Sequence, residues 1–464
     1  MAEAQAKFLS GNLFAHVSVM SLTASVGLMA VFLVDFIDMV FISMLGNSEL
    51  AAAIGYAGAI LFFTTSFSIG MAIAAGALVA RALGAGDVDL ARERATHALI
   101  YGVVFGAIFT VLIWLNLALF VSLLGATGDT ADLAVGYLQI IVPTLPILLI
   151  AMTASAVLRA HGDARRAMMA TIWGGVVNAV LDPILIFGLD LDLTGAALAS
   201  VAARIAIAVT AILPLMRHYG GFSTPSPGGL WRDLPPVLTI AAPAILTQLA
   251  TPIGQAYVTR AMAEFGEAAV AGMAIVGRIT PVAFGVIFAL SGAVGPIIGQ
   301  NFGAGNTARV REAYRAAVIF VAIVVLTISA ILFGLRTPVV ALFDATGLTH
   351  ELIFLFCGPL ALAFFFNGLI FVSNAAFNNL GHPFYSTWIN WGRHTLGTIP
   401  LVLLGSAWLG APGVLIGQAV GGMIFGLLAL VLARKVLRSP DQQPPEKRLF
   451  QRQARLLALF DHRR

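Results

Sequence analysis

Three carboxylates and an amide interrupt otherwise apolar stretches in the first half of this 464-residue chain: Asp35 and Asp38 in FLVDFIDMVFISMLG, and Asn178 and Asp182 in WGGVVNAVLDPILIFG. Residues three or four apart share a helical face, so the members of each pair can point the same way. A charged side chain in the core of a bilayer costs at least about 2.5–3.5 kcal/mol on insertion scales, which makes such residues functional candidates. A desolvated cluster of like charges can take up and release a proton near neutral pH as one coupled unit, chemistry that suits an ion-driven device. Pro183 follows Asp182 directly, so the helix is expected to kink or open there and offer carbonyl oxygens beside the carboxylate. The alternative is a static buried network, or Asp182 paired with Arg204.

These residues need apolar helices to hold them. The chain is 59% hydrophobic and 10% charged, too poor in charge for a water-soluble fold. Twelve spans of about 20 residues or more can be cut from it, near 14–44, 50–79, 95–124, 131–158, 166–188, 194–216, 235–263, 268–299, 314–343, 350–380, 384–408 and 411–435. Arginines gather in alternate connections: Arg81, Arg92 and Arg94; Arg159, Arg165 and Arg166; Arg217 and Arg232; Arg309, Arg311 and Arg315. The opposite connections carry Arg336 alone. The positive-inside tendency then puts both termini in the cytoplasm. The N-terminal stretch reads as a retained first span, with no evident cleavage site. The single cysteine, Cys357, excludes an intrachain disulfide. The segment KRLFQRQARLLALFDHRR can be drawn as a basic amphipathic helix on the anionic inner leaflet, or as a solvated tail.

The chain also repeats itself. LGAGDVDLARE at 83–93 recurs as FGAGNTARVRE at 302–312, an offset of 219 that also relates Gly162 to Gly381. SMLGNSELAAA at 43–53 resembles AEFGEAAVAGM at 263–273 with an offset of 220. Six spans per half is an even number, so both halves enter the membrane the same way and are related by an axis along its normal. The expected fold is therefore an all-α integral membrane protein: an N-lobe (1–217), an inter-lobe linker (218–234), a C-lobe (235–436) and a tail (437–464). Parallel repeats suit a secondary transporter that rocks two lobes about a central substrate, although channels and some membrane enzymes are also duplicated. At the offset of 220, Asp35 and Asp38 fall on Gln255 and Val258, so the halves differ in buried charge. Arg260 and Glu264, four apart, are expected to form a local ion pair or to belong to a substrate-facing surface of the C-lobe.

Other motifs lead away from catalysis. The GAG segments at 84–86 and 303–305 lack the Lys-Ser/Thr of a phosphate loop and read as helix stops. His350-Glu351 begins a zincin-like pattern, but position 354 is Phe. No Gly-x-Ser-x-Gly occurs, and an enzyme is not expected. The Phe runs at 62–63 and 364–366 suit an apolar cavity or plain packing.

Taken in order, FIDMVFISMLGNSELAA, VARALGAGD, LRAHGDARR, NAVLDPILIFG, GLDLDLTGAALAS, APAI and GQNFGAGN resemble the multidrug and toxic compound extrusion (MATE) transporters, within them the DinF-like prokaryotic branch, over nearly the whole chain. The resemblance implies antiport of small lipophilic or cationic compounds against protons or sodium. It implies an N-lobe cation site on Asp38, Tyr137, Asn178, Asp182 and Ser200, where a Thr is more usual; Asp35 is an extra acid beside it. The C-lobe site of the NorM-like branch would fall on Thr251 and Asn367, neither of them acidic. No cofactor is expected beyond the coupling ion, with sodium at the N-lobe cluster as the one metal candidate. Membrane lipids are the expected surroundings, nucleic acid is not a partner, and the chain is expected to act as a monomer in the prokaryotic cytoplasmic membrane. The rival readings are a lipid-linked precursor flippase of the same superfamily, which Arg204, Arg260, Arg278 and Arg393 would suit, and a channel.

Overall fold

A backbone that crosses hydrocarbon has no water to satisfy its polar groups, so apolar runs of this length close their hydrogen bonds within helices. The computed structural model describes residues 6–45 and 48–438 and shows helices throughout them. The N-lobe comprises α1 (Leu13–Met44), α2 (Ser48–Gly84), α3 (Val88–Trp114), α4 (Gly128–Ala160), α5 (Ala164–Gly188) and α6 (Asp192–His218). The C-lobe comprises α7 (Pro227–Ala263), α8 (Glu267–Gly303), α9 (Thr307–Leu342), α10 (Gly347–Asn379), α11 (383–409) and α12 (Ala411–Arg438). Eleven helices among the described residues are long and apolar enough to span a bilayer by themselves. The twelfth, α11, runs as Pro383–Gly392, a π-turn Arg393–Gly397, and Thr398–Leu409. The amphipathic tail expected at 437–464 lies outside the described residues except for its first two positions.

The repeat is visible in the helix bounds. α2 and α8 begin and end 219 residues apart, and so do α4 and α10. This single offset replaces the 220 expected around the first and seventh spans, so the counterparts of Asp35 and Asp38 are Gly254 and Tyr257. The lack of acids there is unchanged.

Capping residues account for the shifted boundaries. Asp87 accepts from Leu90 N at 2.9 Å and starts α3 at Val88 rather than near 95. The outer end of the expected third span is a separate short helix, Leu117–Leu123. Ser226 accepts from Gly229 N at 3.0 Å with Pro227 at the first helical position, so α7 starts there and the linker shrinks to 219–226.

The lobes meet mainly through α1 against α8 and α2 against α7 and α8. They do so unevenly along their length. At the arginine-rich end, Ala80 and Leu83 of α2 and Ile297 and Ile298 of α8 are essentially fully buried. At the other end, Asp35, Phe36 and Met39 of α1 and Val282 of α8 are exposed. The bundle is thus sealed at its basic end, while at the opposite end Arg278 of α8 reaches Met39 of α1, Nη2 to Sδ at 4.0 Å, among exposed side chains. Trp408, Leu342 and Leu396 are among the most exposed apolar side chains, as a surface solvated by lipid requires.

Candidate functional site

Asp38, Asn178 and Asp182 come together where α1 packs on α5. Asn178 donates through one amide nitrogen to both carboxylates, at 3.0 Å to Asp38 Oδ1 and 2.8 Å to Asp182 Oδ2. Asp182 is 1% exposed and Asn178 4%. The Asp38 carboxyl also faces that of Asp182, whose Oδ1 has no hydrogen-bond donor among the described residues. Two carboxylates sharing one neutral donor repel, and a proton or small cation between them would relieve the repulsion.

The local fold follows from Pro183. It lacks an N–H, and the helix widens immediately into the π-turn Ile184–Gly188, closed by Leu189 N on Ile184 O at 3.0 Å. The opening expected there from the proline is present. The first turn of α6 packs against it, close enough that a Cβ on Gly195 would lie 2.8 Å from Leu185 O. Tyr137 of α4 turns its hydroxyl toward Ser200 of α6, within electrostatic reach of Asp38, Asp182 and Arg204. A cleft of about 390 Å³ at the end opposite the arginines is lined by this tyrosine together with Asp129, Asp132, Leu133 and Thr194 among others.

Asp35 lies on the exposed face of α1, outside this hydrogen-bonded set. Arg204 does not pair with Asp182. Its Nη1 donates to Ile141 O at 3.1 Å and to Thr144 Oγ1 at 2.7 Å, filling the break in α4 where the 3₁₀ turn Val142–Thr144 frees a carbonyl. Arg260 and Glu264 are both exposed and form no ion pair with each other, because the outer end of α7 leaves each in open surroundings. The GAG segments are stops in part: Gly86 and Gly305 have φ of +78° and +72°, whereas Gly84 and Gly303 are still helical.

Sequence reasoning missed a network at the basic end. Arg232 of α7 pairs with Glu93 of α3 at 2.8 Å and with Asp233 at 3.0 Å, and His97, fully buried, meets Asp233 at 2.7 Å. Glu93, His97 and Asp233 bring their ligand atoms within 4.8 Å of one another, but the Arg232 guanidinium already supplies the cation there. Glu93 and His97 lie 139 and 136 residues from Arg232 and Asp233, so no local pattern marks them.

With this geometry established, comparison with known proteins is decisive. The family model MatE matches the chain twice, over residues 24–184 and 243–404. The chain belongs to the MATE family of membrane transporters. The two matches begin at the same 219-residue offset as the internal repeat. Among curated relatives, the FAD transporter of Shewanella oneidensis is 27% identical over 426 residues, 90% of this chain and 93% of that protein. The multidrug export protein MepA of Staphylococcus aureus is 23% identical over 417 residues, 89% and 91% of the two chains. A mutant of the Vibrio cholerae MATE transporter VcmN, solved by crystallography, matches with a TM-score of 0.86 and 25% identity, over 93% of this chain and 98% of that one. The twelve-helix, two-lobe MATE fold accounts for the described residues, and the broken α11 is its remaining span.

Proposed function

We propose that this MATE transporter is a secondary active exporter that moves small lipophilic or cationic compounds outward in exchange for inward protons or sodium. The observation that carries the reading is the bridging of Asp38 and Asp182 by Asn178, a carboxylate pair, Asp182 buried and Asp38 half-buried, with no basic side chain bonded to it among the described residues. The cleft bearing Asp129 and Asp132 supports an ion path to Tyr137 from the end opposite the arginines. In this reading the arginine-rich end lies in the cytoplasm of a prokaryotic cell, both termini are inside, and the described conformation faces outward. An ion entering from outside settles between the carboxylates, and the lobes release cargo and then rock to expose the opposite side. Each charge moved down the membrane potential supplies about 2.3 kcal/mol per 100 mV.

The test is cargo-evoked flux in proteoliposomes, with pH and sodium gradients imposed separately. Asp38→Asn and Asp182→Asn are each expected to abolish the coupled flux in folded protein. Wild-type coupling in either variant would falsify the assignment. The Shewanella oneidensis relative supports a second reading of the cargo, because a flavin dinucleotide carries phosphates. Arg278 and Arg393 of the C-lobe have no acidic partner among the described residues and could face such a group. FAD therefore belongs in the same assay beside a lipophilic cation, and the compound that evokes ion flux decides between them.

A further inference from the structure

The duplicated LGAGD and FGAGN segments place the same contact twice across the lobe interface. Arg81 of α2 and Gln300 of α8 stand 219 residues apart, as do Ala160 and Asn379, which end α4 and α10. Arg81 Nε donates to Asn379 O at 3.0 Å, and its Nη2 to Asn378 O at 2.9 Å. Gln300 Nε2 donates to Ala160 O at 2.7 Å. In each case a side chain near the end of one lobe's second helix caps the last turn of the other lobe's fourth, where carbonyls have no partner within their own helix. Both side chains are buried, Arg81 at 5% and Gln300 at 0% exposure.

One turn further on, glycine makes the approach possible. A Cβ on Gly84 would lie 1.9 Å from Gln300 O, and one on Gly303 would lie 2.0 Å from Arg81 O. The obstructing atoms are backbone, which no rotamer change can move. Gly86 and Gly305 behave differently: each has positive φ and open space around it. They end their helices through paired bonds, Gly86 N to Leu83 O with Asp87 N to Ala82 O, and Gly305 N to Phe302 O with Asn306 N to Asn301 O. Each segment thus holds one glycine for contact between lobes and one for stopping the helix. A strap adds an asymmetric element. The 3₁₀ turn Lys7–Leu9 ahead of α1 is wedged beneath the C-lobe, with Phe8 N on Gln300 Oε1 at 2.9 Å and Asn301 Nδ2 on Phe8 O at 3.1 Å.

These bonds join lobe to lobe. We propose that Arg81 with Gly84 and Gln300 with Gly303 are the two halves of one gate, which closes the basic end of the inter-lobe passage and parts when the lobes rock. The proposal deepens the alternating-access reading above and rests on it.

The test uses the full-length chain with Cys357→Ser and a reporter, Ala80→Cys. Ala80 is fully buried, and a Cβ on Gly299 of α8 would lie 2.9 Å from it. A membrane-impermeant maleimide is applied from the basic face in inside-out vesicles. Gly84→Leu and Gly303→Leu are each expected to raise the labelling rate about tenfold, as the loss of roughly 1.4 kcal/mol of closed-state preference requires. Gln300→Leu, which leaves the backbone approach intact, is expected to give a smaller rise in the same direction and covers the case in which the glycine variants do not fold. Gly86→Ala and Gly305→Ala should leave labelling at the parent rate. Folded contact-glycine variants that stay as protected as the parent, or a rise from one glycine of the pair alone, would overturn the gate. Labelling requires neither cargo nor an ion gradient, so the two failures are separable. A chain that couples cargo to ions yet shows no labelling change refutes the gate, whereas labelling that responds in a chain with no coupled flux refutes the transport reading.

Discussion

Replacing Asn178 by Ala removes the one donor that the buried Asp182 and the half-buried Asp38 share. The oxygens it bridges lie at most about 6 Å apart, its bonds of 3.0 and 2.8 Å laid end to end. Two unit charges about 5 Å apart at an effective dielectric near 20 repel by roughly 3 kcal/mol. A hydrogen bond to a charged group adds about 1.5–3 kcal/mol. The repulsion is common to the parent and to Asn178→Ala, so with both carboxylates ionised the variant is expected to lose the two bonds, about 3–6 kcal/mol, less whatever a captured cation restores. Adding Asp182→Asn removes the repulsion and supplies a new amide donor to Asp38, so the double variant should recover most of that loss. The assay is a double-mutant cycle: the parent, both single variants and the double variant, unfolded in one detergent at fixed pH and ionic strength. A coupling of about 2–3 kcal/mol is expected between the two positions, within the range for residues that share a network. Additivity within about 0.5 kcal/mol would refute the bridged pair and with it the cation site.

Two further predictions concern residues elsewhere in the N-lobe. His161, in the turn between α4 and α5, is 7% exposed and stacked on Tyr219 at 4.3 Å between ring centroids. Burial holds its pKa down to about 4 against a weaker opposing pull from Asp163. An unfolded histidine titrates near 6.5, so between these values the unfolded chain binds more protons. Stability should be full above about pH 6.5 and fall as the pH drops toward 4, and melting curves of His161→Gln should show a flatter pH profile; an unchanged slope counts against this account. Arg204→Met keeps the stem of the side chain but leaves Ile141 O without the guanidinium at the break in α4, and should cost about 1–3 kcal/mol in thermal unfolding. A loss below about 0.5 kcal/mol, the usual range for surface substitutions, would mean that Arg204 does not secure the break.

What the sequence makes legible here is set by the physics of the solvent. In hydrocarbon a charge is so costly that Asp38 and Asp182 stand out from composition alone, and residues four apart on one helix, such as Asn178 and Asp182, can be paired without coordinates. The helix widening after Pro183 follows for the same local reason. Tyr137 and Ser200 carry no such mark, and a resemblance was needed to add them. Long-range partners stayed hidden. Arg204 looks like a counter-ion for Asp182 in sequence, but the break in α4 at Val142–Thr144 offers it a freed carbonyl and a hydroxyl instead. Glu93 and Arg232 belong to different lobes, and each alone reads as a solvated charge. The repeat is the instructive case. It was legible as a spacing, and the GAG segments read as helix stops, yet Gly84 and Gly86 perform different tasks two residues apart. Only the crossing of α2 with α8 separates them, because a helix stop is a property of one chain segment and a close approach is a property of two. Duplication then makes the distinction testable: what holds at Gly84 must hold at Gly303, since the same backbone atom, the carbonyl at the position equivalent to Arg81 or Gln300, obstructs any side chain at both.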